Sequence, residues 1–185
     1  MAIAARWIRL GASGPRDLQA ACAGLATAQD GMPAAMRVPI LLWARPDAPV
    51  ISDLARVEEN HFAFALIAPL RLAPGRSSRW RAWALAPALA TYRQFGVHAY
   101  LDENSICLNG RRIAESRARA VGDCAVVASS FQPEALADWA ERDLESAFRG
   151  RIEAQYGWEF ENAWPSLVER AAIAEALAGE LADAK

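Results

Sequence analysis

The sequence predicts an α+β fold in which a mixed, mainly antiparallel sheet has helices packed on it. Two uninterrupted apolar runs, Val38–Trp43 and Phe62–Pro69, have the length and composition of buried strands. Short strand-like segments between 97 and 131 are separated by Asn-Gly and Gly-Asp turns. Apolar residues at helical spacing precede and follow these segments, so we expect a single domain over residues 1–185 with its helices on one side of the sheet.

The first seventy residues predict a strand, a helix and three further strands. Ala5–Leu10 is interpreted as a short edge strand. Pro15 suits the first position of a helix that continues to about Gln29. The run at 38–43 follows, and another strand is expected to begin within 48–52, ahead of the strand at 62–69.

A long helix is predicted in the middle of the chain. Ser77 or Ser78 can cap its N-terminus, and its apolar stripe extends to Phe95, where Gly96 ends it. Pro87 lies inside this helix and has no backbone N–H to donate. We therefore expect a kink or a break at that residue.

Hairpins and then two more helices are predicted in the remainder. Asn109-Gly110 is a strong type I′ turn signal, joining a strand that ends at Leu108 to one over Arg111–Ala118. Gly122-Asp123 then leads into a strand over Cys124–Phe131. Helices are expected from Pro133 to about 149 and after residue 165.

The composition excludes several classes of protein. Hydrophobic residues make up 54% and the formal net charge is −2, which gives no general attraction to nucleic acid or to an anionic membrane. No apolar run approaches the ~20 residues that span a bilayer. Cys22, Cys107 and Cys124 form no Cys-x-x-Cys pair and have no metal-ligand spacing with a histidine. We expect a cytoplasmic protein with reduced cysteines, no metal and no cofactor.

Three segments resemble motifs of one family. They are Gly96-Val97-His98-Ala99-Tyr100, Asn104-Ser105-Ile106 and Gly110-Arg111-Arg112-Ile113-Ala114-Glu115-Ser116. Together with the order of elements over about 15–161, they are similar to the biotin/lipoate A/B protein ligase family. The resemblance implies a ligase-like fold, a biotinyl or lipoyl carrier domain as partner, and a ligand site that includes Asn104, Arg112, Glu115 and Ser116.

The chain departs from this family at the residues that carry the chemistry. The family depends on a lysine at the position of Arg112, whereas the only lysine here is Lys185. Arginine holds an anion but does not release its proton near neutral pH. Glu115 replaces a glycine, and the family's glycine-rich loop has no counterpart between Ser52 and His61. The sequence therefore predicts a protein that has lost ligase activity and acts as a binding module or complex subunit.

The sequence also allows an enzymatic alternative. Some acyltransferases of the family hold the acyl group on a cysteine, and Cys124 follows a turn in a segment expected near the site. The other interpretation of Cys124 is an ordinary buried thiol, because free cysteines are among the most buried residues. His61 is interpreted as a solvated loop residue or as a residue facing the pocket, and Ser129-Ser130 as a helix cap.

Arginines are concentrated in two places. Four lie in or beside the predicted strand after the Asn-Gly turn, and four more lie around the start of the middle helix; they are Arg111, Arg112, Arg117 and Arg119, and Arg71, Arg76, Arg79 and Arg81. One interpretation is a solvated face in an arginine-rich protein. The other is a docking surface for an acidic partner, such as a lipoyl or biotinyl carrier domain; nucleic acid is disfavoured by the negative net charge.

Overall fold

The computed structural model describes residues 2–51, 56–58, 61–136 and 141–183. In these ranges eleven strands and four α-helices follow one another along the chain. They are β1 (Ile3–Ser13), α1 (Pro15–Asp30), β2 (Ile40–Pro46), β3 (Val50–Ile51), β4 (Arg56–Val57), β5 (Phe62–Pro69), α2 (Trp80–Gln94), β6 (Tyr100–Asp102), β7 (Ser105–Leu108), β8 (Arg111–Glu115), β9 (Arg117–Val121), β10 (Cys124–Phe131), α3 (Glu141–Tyr156), β11 (Trp158–Asn162) and α4 (Leu167–Asp183).

The main sheet has six strands in the order β11-β1-β2-β5-β10-β9. Strand β1 is parallel to both of its neighbours, and the other pairings are antiparallel. The predicted α+β class with a mixed, mainly antiparallel sheet is confirmed. The edge position predicted for β1 is wrong, because β11 was not foreseen and pairs with its outer side.

The helices cover both faces of this sheet, so the prediction that they lie on one side is wrong. Every residue of β5 is buried. Phe62, Phe64 and Leu66 face a core formed with α2 and α3, whereas Ala63 and Ala65 face a second core under α1. An uninterrupted apolar strand needs a cover on each face, because successive side chains point in opposite directions.

Helix α2 continues through Pro87 without the break predicted there. The carbonyl oxygen of Trp83 lies four residues earlier and would normally accept the N–H that proline lacks. The hydroxyl group of Tyr156, at the end of α3, donates a hydrogen bond to that oxygen instead. The helix is therefore preserved by a tertiary contact that local sequence does not reveal.

The hairpin region agrees with the sequence except at one residue. Asn109 and Gly110 have φ angles of 50° and 76°, as the predicted type I′ turn requires. The predicted strand over Arg111–Ala118 is divided at Ser116 into β8 and β9. Strand β8 pairs with β7 in a separate three-stranded sheet (β6-β7-β8), and β9 pairs with β10 in the main sheet.

The C-terminal elements complete the structure. The helix predicted from Pro133 is a short 3-10 turn over 133–135 followed by α3, and residues 137–140 of that prediction lie outside the described ranges. Helix α3 also covers β11: Arg149 Nη2 donates to the carbonyl oxygen of Phe160 (2.5 Å), and the Phe160 N–H donates to Glu153 Oε1 (3.4 Å). Among the described residues, no helix is both long enough and apolar enough to cross a membrane.

Candidate functional site

The described residues form a small cavity where β4, β8 and the C-terminal end of β10 meet. Its volume is about 100 Å³, which corresponds to roughly three water molecules at ~30 Å³ each. Four charged side chains, a histidine, a serine and two apolar residues line it. They are Arg56, Glu58, Arg112, Glu115, His61, Ser130, Ile113 and Ala114.

Glu115 is the centre of the ionic contacts at this cavity. Its carboxylate oxygens lie 3.1 Å from Arg112 Nη1, 3.3 Å from Arg117 Nη2 and 3.7 Å from Arg56 Nη1. The Arg112 side chain is 62% exposed and that of Glu115 only 20%. The carboxylate is thus held in the wall of the cavity and the Arg112 guanidinium reaches it from the solvent side. We call these four residues the Glu115 cluster.

The Glu115 cluster determines what this wall of the cavity can do chemically. Glu58 also pairs with Arg56 at 3.9 Å, so three guanidinium groups face two carboxylates and one positive charge remains in excess, which favours an anion. None of the three arginines can act as a proton acceptor near neutral pH. The position that the resemblance assigns to a lysine therefore carries a cation already paired with a carboxylate of the same chain.

Asn104 and Ser116 lie beside this cavity without lining it. The carbonyl oxygen of Asn104 accepts hydrogen bonds from the Ser116 N–H (3.0 Å) and from Ser116 Oγ (2.9 Å). These bonds hold the junction between β8 and β9. The structure thus brings Arg112 and Glu115 together at the cavity, and the ligand-binding roles predicted for all four residues stay predictions.

Cys124 lies at the opposite end of β10 from the cavity. Its side chain is fully buried in the core under α1. Burial raises the pKa of the Cys124 thiol to about 11, with Arg37 acting in the opposite direction. The neighbouring Asp123 is paired with Arg37 at 2.6 Å. The structure does not bring Cys124 to the cavity, and its role as an acyl acceptor stays a prediction.

His61 and Ser130 line the cavity and contact each other, which the sequence did not reveal. His61 Nδ1 lies 3.2 Å from Ser130 Oγ, and the two residues are 8% and 2% exposed. The interpretation of His61 as a solvated loop residue is therefore wrong, and its alternative, a residue facing the pocket, describes the structure. Ser129 and Ser130 do not cap a helix either, because Ser129 Oγ donates to the carbonyl oxygen of Glu115 (2.9 Å).

Within the part of the chain that the structure describes, no three histidine, cysteine, aspartate or glutamate side chains lie close enough together to hold a metal ion.

Comparison with known proteins gives the class of the fold. No family model and no curated protein sequence matches the chain. A bi-partite lipoate protein ligase from Thermoplasma acidophilum superimposes with a TM-score of 0.76 at 10% identity, over 95% of this chain and 92% of that one. A lipoate-protein ligase A bound with ATP gives a TM-score of 0.77 at 10% identity, over 95% of each chain.

The structures of biotin enzymes superimpose on this chain with lower TM-scores. The biotin acetyl coenzyme A carboxylase synthetase of Helicobacter pylori, solved with biotinylated ATP, gives a TM-score of 0.52 at 16% identity, over 94% of this chain and 81% of that one. At such identities the likeness concerns the fold alone. The chain therefore has a biotin/lipoate ligase-like fold, with the lipoate-protein ligases as the nearer group of these comparisons.

Proposed function

We propose that this protein is a ligase-fold protein without ligase activity, which acts as a binding module or complex subunit for an acidic carrier domain. The observation that carries the proposal is the Glu115 cluster. Where the resembling enzymes use a lysine, this chain has Arg112, and Glu115 holds it at 3.1 Å. An activated acyl phosphate would have to displace that carboxylate, and no lysine is present at this position to bind it.

The size of the cavity supports the same proposal. Pockets that bind small molecules and cofactors usually have about 300–1,000 Å³, and the cavity at the Glu115 cluster has about 100 Å³. An acyl adenylate does not fit such a space as the described residues line it. The chain also has no Gly-Gly dipeptide that would let backbone N–H groups approach a phosphate closely.

The proposed partner follows from two exposed arginines. Arg111 and Arg119 lie on β8 and β9, are exposed, and have no ion pair with any described residue. Unpaired exposed cations attract an acidic surface and accelerate its approach. One solved fold relative is a bi-partite ligase studied with its E2 lipoyl domain, which makes a lipoyl or biotinyl carrier domain the natural candidate.

The first experiment tests for ligase activity directly. The purified protein is incubated with ATP and lipoate, octanoate or biotin, and pyrophosphate release and thermal stability are measured beside an active lipoate-protein ligase. We expect no pyrophosphate and no stabilisation, whereas a ligand at a hundred times its Kd would stabilise the fold by about 2.7 kcal/mol. Pyrophosphate release together with stabilisation by both substrates would overturn the proposal.

The second experiment tests the partner. Binding of an acidic lipoyl or biotinyl domain is measured by titration calorimetry at low and at physiological salt. The double variant Arg111→Glu, Arg119→Glu should weaken binding at least tenfold, and added salt should weaken it further. Arg170→Glu, an exposed charge reversal on α4, is the matched control and should bind as the unaltered protein does. Equal affinities of all three would exclude this docking surface.

A further inference from the structure

The cavity holds a hydroxyl group and an imidazole in the relation of a nucleophile and its base. Ser130 Oγ and His61 Nδ1 are 3.2 Å apart, although the two residues are distant in the sequence. Ser130 lies opposite Ala63 in the pairing of β10 with β5, and His61 immediately precedes β5. The main sheet therefore fixes the backbone positions from which the two side chains meet.

Burial favours a neutral imidazole. Burial lowers the pKa of His61, while Glu134 and Glu58 act in the opposite direction. With its pKa below the usual 6.5, His61 is mostly uncharged at pH 7, and in the tautomer that carries its proton on Nε2 the Nδ1 atom can accept the Ser130 proton. The two carboxylates then stabilise the imidazolium that forms when the proton is taken up.

The remaining wall of the cavity carries two arginines and two glutamates, whose formal charges balance. Arg56 and Arg112 line it together with the serine and the histidine. Both are paired with Glu115, but each guanidinium has five N–H donors, and those that Glu115 leaves free can donate hydrogen bonds to an oxygen atom that becomes negative during a reaction at Ser130. A nucleophile, its base and cationic donors thus face one cavity, which is the arrangement that acyl transfer requires.

We infer that Ser130 and His61 form a hydrolytic site for short acyl esters and thioesters. Ser130 Oγ attacks the acyl carbonyl carbon and its proton passes to His61 Nδ1, while Arg56 and Arg112 neutralise the carbonyl oxygen. The bond from the acyl carbon to the leaving oxygen or sulfur breaks, and the leaving group takes the proton from His61. A water molecule then attacks the acyl-serine, His61 takes its proton and returns one to Ser130, and the carboxylic acid is released.

The volume of the cavity sets the substrate class. A space of about 100 Å³ accommodates an acetyl or propionyl group, because it equals roughly three water molecules. An octanoyl or lipoyl chain is too long for it. The site therefore differs in substrate from the ligases that share the fold, and it differs from the acyl transfer predicted for Cys124. It is also independent of the proposed carrier binding.

The test uses the whole protein with p-nitrophenyl acetate and p-nitrophenyl octanoate. We expect hydrolysis of the acetate above the buffer rate and at least tenfold slower hydrolysis of the octanoate. Ser130→Ala should return the acetate rate to background, and His61→Ala should lower it about 100-fold or more, the usual contribution of a general base. A fluorophosphonate reagent should label the unaltered protein at Ser130, as mapped by mass spectrometry.

Ser129→Ala is the matched control. Ser129 is the neighbouring hydroxyl on β10, but its side chain points to the opposite face of the strand and donates to the backbone carbonyl oxygen of Glu115, so its loss should leave the acetate rate and the labelling within twofold. Circular dichroism and melting curves establish that each variant is folded. A Ser130→Ala protein that is folded and retains the unaltered rate, or absence of fluorophosphonate labelling, would overturn the inference. Carrier binding measured on the same variants separates this failure from a failure of the proposed function.

Discussion

The two ends of β10 present two potential nucleophiles in opposite circumstances. Cys124 at one end and Ser130 at the other are six residues apart, so both side chains point to the same face of the sheet at a separation of about 20 Å. The thiol lies in an apolar core, where burial raises its pKa to about 11. The hydroxyl group borders a cavity and contacts the imidazole of His61.

This difference shows that the residue type is a poor guide to reactivity within one strand. Cysteine is intrinsically the better nucleophile, but only its thiolate reacts, and burial suppresses the thiolate. Serine is weak alone and depends on an adjacent base. We therefore expect the reactive side chain of β10 at its serine end.

The largest expected effect comes from placing a thiol at the serine end. In the unaltered protein Cys22, Cys107 and Cys124 are all buried, so alkylation by iodoacetamide should be slow. The Ser130→Cys variant should react at least tenfold faster, because the new thiol borders the cavity beside His61, which can take up its proton. Labelling rates followed by intact-mass spectrometry check this. A variant as slow as the unaltered protein would mean that the cavity is closed to solvent.

The second expected effect concerns the thiol itself. Cys124→Ser puts a hydroxyl group into an apolar core, where an unsatisfied hydroxyl costs about 1–3 kcal/mol. We expect a loss of this size in the free energy of unfolding, measured by urea denaturation, and unchanged hydrolysis of p-nitrophenyl acetate. Cys124→Ala is the control for the loss of volume without added polarity. Loss of acyl transfer to a carrier domain in a stable Cys124→Ser protein would instead support the enzymatic alternative.

The smallest expected effect is the response to alkaline pH. An unfolded cysteine ionises near pH 9, whereas Cys124 in the folded protein has a pKa of about 11. Stability from this group is complete below pH 9 and is lost as the pH rises toward 11, because the unfolded state releases its proton first. We expect the loss to amount to about 1–2 kcal/mol. It should be reduced in Cys124→Ala when both proteins are unfolded in urea at pH 8 and pH 10.5, and equal losses would contradict the raised pKa.

Much of the fold was predictable from local patterns. The apolar run at Phe62–Pro69, the Asn109-Gly110 turn and the final helix are each marked by their own residues, and all three are confirmed. The errors arise where distant residues decide. Strand β11 has only five residues and alternates with glutamates, and the hydrogen bond that preserves α2 at Pro87 comes from Tyr156, 69 positions later.

The candidate site was predictable to a lesser degree. Arg112 and Glu115 lie three residues apart on one strand, and the resemblance indicated them. The contact of His61 with Ser130 joins positions 69 residues apart. It depends on the register of β10 against β5, which a single sequence does not specify. Two serines at the end of an otherwise apolar strand were the only signal, and a helix cap explained them equally well.

The cover that α3 places on β11 has a consequence for how the protein behaves in concentrated solution. A strand at the end of a sheet offers unpaired backbone groups on which strands of other molecules can assemble. Here Arg149 and Glu153 occupy the carbonyl and N–H groups of Phe160, in the middle of that strand. Two side chains of one helix thus block the strand edge against edge-to-edge aggregation, and they do so whether or not the cavity binds a ligand.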